Sequence, residues 1–215
     1  MRLPTVDPGN GPRFLQHTGI AAPLLLPDVG CEVIAPLGAG AISGMSAGER
    51  AFEGLRYLPG GVENPDFVLN QEAYRQASIL LAGENFGIGD DPSSAVTRLM
   101  AFGIRVVAAP RFGAKFHKSC VSRGLLPVTL DEAAIAEVAD WVVSNPGIEM
   151  KVDLDGQLIE RPGRTPVTFD VDPRTRNKLL MGLDDLDESR QYTEMTAALR
   201  EEDRMKRPWL YHERE

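Results

Sequence analysis

The chain has 215 residues, enough for one sizeable core or two small ones. Hydrophobic residues make up 43% and charged residues 25%, the composition of an ordinary globular protein. With 23 Lys and Arg against 31 Asp and Glu the formal net charge is −8, which argues against a nucleic-acid surface. No apolar run approaches the roughly 18 residues needed to span a bilayer. The opening "MRLPTVDPGNGPRF" lacks the basic-then-apolar pattern of a secretion signal, so the expected location is the cytoplasm.

Taken in chain order, "TGIAAPLLLPDVGCEVIAP" (18–36) reads as strand, loop and strand, broken at Pro27 and Gly30. Residues 37–49, small and nearly uncharged, form an expected loop, and 50–58 and 70–77 are expected to be helical. The apolar run 78–83 predicts a buried strand. Residues 94–103 then predict a helix stopped by Gly103, and the β-branched run 104–110 a second strand. Strand, helix and strand within about 30 residues make a βαβ unit, and hence a parallel sheet. A helix over 111–124, a strand over 125–130 and a helix over 131–144 follow. Beyond 148 the period changes to alternation around Asp155-Gly156, a hairpin signal, with a further strand reaching Val171. Helices over 173–183 and 192–206 close the chain. The expected architecture is α/β: one domain with a parallel βαβ core, an added β-hairpin and a C-terminal helical extension from about 172 to 215.

Cys31 and Cys120 form no CxxC pair, and with His17, His117 and His212 they show no metal-ligand spacing, so no metal site is expected. His117 and Cys120 lie three apart on one helix face. They are read either as a reactive pair or as a surface histidine beside a buried cysteine.

The chemistry concentrates in "LLAGENFGIGDDPSS" (80–94). A strand leading through Gly87-x-Gly89 into a helix points backbone N–H groups at any anion above the turn. The third glycine of a dinucleotide fingerprint and the lysine of a phosphate-binding loop are both missing. Capping accounts for the same residues: Asp91 is a natural N-cap, Pro92 suits the first helical position, and Asp90 favours the dipole from outside.

"AFEGLRYLPGGVENPDFVLN", "ILLAGENFGIG", "GIRVVAAPRFGAKFHKSCVSRGLLPV" and "LLMGLDD…RPWLY" resemble, in order and spacing, the 3-isopropylmalate dehydratase small-subunit family, the swivel domain of the aconitase family. The resemblance runs essentially end to end. It implies an aconitase-type swivelling β/β/α domain that closes over a separate large subunit. That subunit would hold a 4Fe–4S cluster, with the hydroxy-acid substrate at the interface and no cofactor in this chain. The implied reaction removes water from a 2-hydroxy dicarboxylic acid and returns it at the neighbouring carbon.

In the family the helix after the loop opens with Gly-Ser-Ser-Arg-Glu, the first serine serving as base and the arginine holding a substrate carboxylate. Here the serine position is Asp90 and the arginine position is Pro92, with Asp91 between them. The family's Asp-Thr-Asp-Gln-Ile-Ile-Pro stretch falls on "GCEVIAP", so its acids become Gly30 and Glu32, and an arginine beyond falls on Gly38. The resemblance thus makes Asp90 and Asp91 the candidate catalytic residues. Asn85, Gly87, Gly89, Ser93 and Glu32 become the candidate substrate-facing ones. A second carboxylate about 4 Å from a substrate carboxylate repels it by roughly 4 kcal/mol at an effective dielectric near 20. Loss of the arginine removes a bidentate contact as well. Three readings stay open: a hydro-lyase subunit with an altered base or substrate, a subunit that binds a large partner without chemistry, and an unrelated α/β binder.

Overall fold

The computed structural model describes residues 12–36, 45–183, 203 and 205–207. The expected helix over 192–206 lies almost wholly outside these residues, as does Gly38. The sheet begins with β1 (Gln16–Leu24), which pairs in parallel with β4 (Ile79–Ala82). β5 (Val106–Ala109) and β6 (Leu126–Thr129) continue the parallel ladder outward. On its other side β1 pairs antiparallel with β7 (Glu149–Asp153), and β8 (Leu158–Glu160) and β9 (Val167–Thr168) extend that half. The order is β6-β5-β4-β1-β7-β8-β9. An isolated bridge joins Thr129, at the end of β6, to Asp170, just beyond β9, so the sheet curls until its two edges meet.

β4 and β5 are buried at every position, as an all-apolar strand covered on both faces must be. α3 (Pro92–Phe102) connects β4 to β5, and α4 (Ala114–Arg123) connects β5 to β6. These crossovers run in the same direction across the sheet, so the right-handed rule places both helices on one face, where they pack together. α5 (Glu132–Ser144) packs on β1, β4 and β5 and returns the chain to β7. It buries Ile135, Val138, Ala139, Trp141 and Val142 along one stripe. α6 (Pro173–Met181), capped by Asp172, packs against α4. Among the described residues no helix is long and apolar enough to cross a membrane.

The βαβ core and the hairpin therefore fall where expected, and three local expectations are corrected. Residues 31–36 are not a strand. Gly30 makes a single parallel bridge to Ile88, and the chain then coils into the short helix α1 (Cys31–Ile34), burying Ile34. A four-residue stretch carries too little periodicity to separate the two states. The 50–58 helix shrinks to α2 (Glu53–Arg56), because Pro59 and the positive-φ pair Gly60 and Gly61 turn the chain into a small hairpin of β2 (Tyr57–Leu58) and β3 (Val62–Glu63). Residues 70–77 hold 3₁₀ turns at Val68–Asn70 and Glu72–Tyr74 instead of an α-helix. The first turn is tied to its surroundings by a side chain: the Asn70 amide donates to Arg56 O at 2.7 Å and to Asn64 O at 2.9 Å. Asn70 Oδ1 accepts from buried Arg56 Nε at 2.9 Å. A long-range network of this kind leaves no local sequence pattern.

Candidate functional site

Ligands of parallel α/β sheets gather beyond the carboxyl ends of the strands. Here the segments that follow β1, β4 and β5 are stitched together at that end. Asp28 N–H donates to Glu84 O at 2.8 Å, Gly87 N–H to Val29 O at 2.7 Å, and Cys31 N–H to Ile88 O at 2.6 Å. On the other side Phe86 N–H donates to Arg111 O at 3.0 Å, and Gly113 N–H to Phe86 O at 2.9 Å. The Asn85 amide, whose residue sits at φ 57°, donates to Asp28 Oδ1 at 2.8 Å. Asn85 is thus committed to fixing the loop.

The two glycines earn their positions sterically. Gly87 has φ 75°, and a Cβ there would enter the ring of buried Phe116. Gly89 has φ 116°, and a Cβ there would lie 2.9 Å from Glu32 Oε2. The Glu32 carboxylate therefore folds over Gly30 and Gly89, beside the loop. The structure brings Glu32, Gly87, Gly89, Asp90 and Asp91 together, as the sequence suggests.

Asp91 is the α3 N-cap: its Oδ1 accepts from Ser94 N–H at 3.1 Å, and Pro92 occupies the first turn. Hydrogen bonding from the Ser94 side chain and backbone, helped by Arg98, holds its carboxyl below the ordinary range. Asp90 is almost entirely exposed and pairs with Lys115 Nζ at 3.0 Å. The Ser93 hydroxyl accepts from Arg123, which also donates to Thr97 Oγ1 at 2.9 Å.

Lys115, Arg98 and Arg123 escape a reading of the loop alone, because they arrive from α4 and from deeper in α3. Arg98 lies nearly two turns into α3 and runs back to Arg50 O at 3.1 Å and Pro36 O at 3.5 Å. It ties the two segments that flank residues 37–44, which occupies its guanidinium structurally. Lys115 lies one helix away in space and offsets part of the loop's negative charge. Arg105 is exposed and caps backbone carbonyls of Met100 and Ile104.

Of the two readings of His117 and Cys120, the inert one holds. Cys120 is wholly buried and its thiol is pushed well up by burial, while His117 is half-buried. Cys31 donates Sγ–H to Gly87 O at 3.3 Å, and burial, then the charges of Glu32, Asp91 and Asp90, raise its thiol to about 11. An iron–sulfur cluster of the 4Fe–4S type takes about four thiolates, and this chain has two cysteines, both buried. Among the described residues no three His, Cys, Asp or Glu side chains gather as metal ligands. These residues do not fit such a cluster.

Residues 12–133 match the model of the aconitase C-terminal domain. The chain belongs to that family. Relatives include the 3-isopropylmalate dehydratase small subunit of Cupriavidus necator, 40% identical over 202 residues that span 92% of this chain and 97% of the relative. The small subunit from Marinobacter nauticus is 36% identical over 209 residues, covering 93% and 97% of the two chains. The crystal structure of 3-isopropylmalate dehydratase from Methanocaldococcus jannaschii superposes with a TM-score of 0.58 at 18% identity, over 86% of this chain and 99% of that one. That likeness supports the fold. Family membership thus extends over the parallel core, the stitched loops and α3, the elements that carry Glu32, Asp90, Asp91 and Pro92.

Proposed function

We propose that this chain is the small subunit of a 3-isopropylmalate dehydratase-like hydro-lyase, and that it delivers the Gly87–Asp91 loop to an active site completed by a large subunit. The observation that carries this reading is the near full-length match to small subunits on both sides of the comparison, about nine-tenths of this chain and nearly all of theirs. The loop supports it: an exposed, rigidly held turn at the carboxyl end of a parallel sheet suits presentation to a second chain. Any cluster comes with the partner, since Cys31 and Cys120 are unsuited to hold one. The substrate class is a 2-hydroxy acid bound at the interface, and the chain alone is inactive.

At the position of the family's serine, Asp90 is the group placed to accept a proton. It works against the charge of a dicarboxylate, with Lys115 as the offsetting cation and no arginine at Pro92. The expected consequence is weakened use of 3-isopropylmalate relative to the family, in favour of less anionic hydroxy acids.

A second reading is a subunit that docks a large partner without chemistry. The commitments of Asp91 to its cap and Asp90 to Lys115 favour it. Co-expression with each aconitase-family large subunit of the same genome, followed by pull-down and an assay on a panel of hydroxy acids, tests both. The first reading predicts a complex with turnover of at least one hydroxy acid, and the second a complex with none. Failure to bind every large subunit contradicts both.

A further inference from the structure

Away from the loop cluster, α5 and the turn after β8 line an open cavity of about 260 Å³. Its α5 wall is built from Glu137, Asp140, Trp141 and Ser144, spaced i, i+3, i+4 and i+7, so a single stripe of the helix faces it. The opposite wall carries Arg161 and Arg164. They stand at the two ends of a tight turn in which Arg164 N–H donates to Arg161 O at 3.2 Å. Pro162 and Gly163, at φ 72°, suit the central positions of a type II turn and hold both arginines toward α5.

Arg161 is only 4% exposed. Its Nη2 donates to Glu137 Oε1 at 2.8 Å and to Thr165 O at 3.3 Å, while Nε and Nη1 are buried without a partner. A buried guanidinium with open donors is an incomplete arrangement, because each unmet donor retains its desolvation cost. Asp140 and Arg164 are exposed, and among the described residues neither side chain has an ion-pair partner. With Arg161 and Glu137 paired to each other beneath, the cavity presents the exposed Arg164 guanidinium on one wall and the exposed Asp140 carboxylate on the other, with Trp141 beside Asp140 on α5.

A simple anion here meets Glu137 and Asp140, and a simple cation meets Arg161 and Arg164. A ligand carrying both charges a few ångströms apart satisfies each wall. The volume, equal to about nine waters at roughly 30 Å³ each, suits a small metabolite and not a nucleotide or peptide. We propose that this cleft binds a small zwitterion of the α-amino-acid class. Its carboxylate pairs with Arg164, its ammonium group faces Asp140, and its apolar side chain rests against Trp141. The site is independent of the loop cluster, so it stands or falls separately from the proposed hydro-lyase role.

The test is titration of the full-length chain with L-leucine and L-phenylalanine, read by calorimetry and by the Trp141 indole N–H resonance. 4-Methylpentanoate and isopentylamine, each lacking one charge of leucine, are the controls. Saturable millimolar or tighter binding of an amino acid is expected, with either control weaker by about tenfold or more, the loss of one charge-assisted contact. Arg164→Ala and Asp140→Asn are exposed changes that leave the fold intact, and each should weaken binding by a similar factor. No saturable binding of either amino acid overturns the proposal. So does equal binding of 4-methylpentanoate, which marks a plain anion site, or unchanged binding in both variants.

Discussion

Asp90 and Asp91 are neighbours in sequence with separate employments. Asp91 caps α3, so Asp91→Ala should lower the unfolding free energy by about 1 kcal/mol, and Asp91→Asn by less, because asparagine also caps. Urea denaturation at neutral pH measures both. Its carboxyl is depressed in the fold by hydrogen bonds from Ser94, as that of Asp172 is by bonds from Thr175 at the start of α6. In the unfolded chain these groups bind protons at higher pH than in the fold. Their contribution is therefore complete above the ordinary aspartate value of about 3.9 and is lost as pH falls through the depressed folded values. Melting temperature should drop through that acid range, and Asp91→Asn should make the drop shallower. Gly87 is a harsher position. Its positive φ and the Phe116 ring leave no space for a methyl group, so Gly87→Ala should cost on the order of 2 kcal/mol or more by the same denaturation measurement.

At the scale of elements, β4–α3–β5 and α4 were legible because their signals are local. An apolar run, an Asp-Pro start, a stop at Gly103 and a stop at Gly124 each act within a few residues. The short helix at Cys31–Ile34 and the 3₁₀ turns near Asn70 were not, since each is a single turn too short to show a period, and Asn70 is fixed by side-chain bonds to Arg56 O and Asn64 O that no periodicity encodes. The site divides the same way. Gly87, Gly89 and Asp90 could be read along the loop and Glu32 through the family resemblance, whereas Lys115 reaches Asp90 only once α4 is folded beside α3. Burial on these elements also sets a second pH response. His117 on α4 is lowered by desolvation, and His17 on β1 by desolvation and then by Arg105. The unfolded chain therefore binds more protons as pH falls through the ordinary histidine value of about 6.5, and stability declines there. His117→Gln should flatten the fall in urea midpoint between neutral and mildly acidic pH. The thiols give a further check: iodoacetamide at mildly alkaline pH should label Cys31 and Cys120 only after unfolding, because both are buried with raised thiols.

For the whole molecule, the parallel half of the sheet builds the loop platform, and the curled antiparallel half closes the domain around it. The chain's own donor set leads to an expectation for the purified protein, namely no stoichiometric iron or sulfide by chemical assay. The proposal that Asp90 and Pro92 set the loop against a dianionic substrate is open to direct test. Its most direct measurement is the 3-isopropylmalate isomerisation rate of the complex with a cluster-bearing large subunit, for the native chain and for Asp90→Ser, Pro92→Arg and the double variant. Asp90→Ser removes a negative charge and Pro92→Arg supplies a guanidinium, and both act on one bound dianion, so their effects should be coupled. The account predicts little or no native turnover and a gain in the double variant that exceeds either single change. Fast native turnover abolished by Asp90→Asn would contradict it, showing that the carboxylate serves as base with the dianion bound beside it.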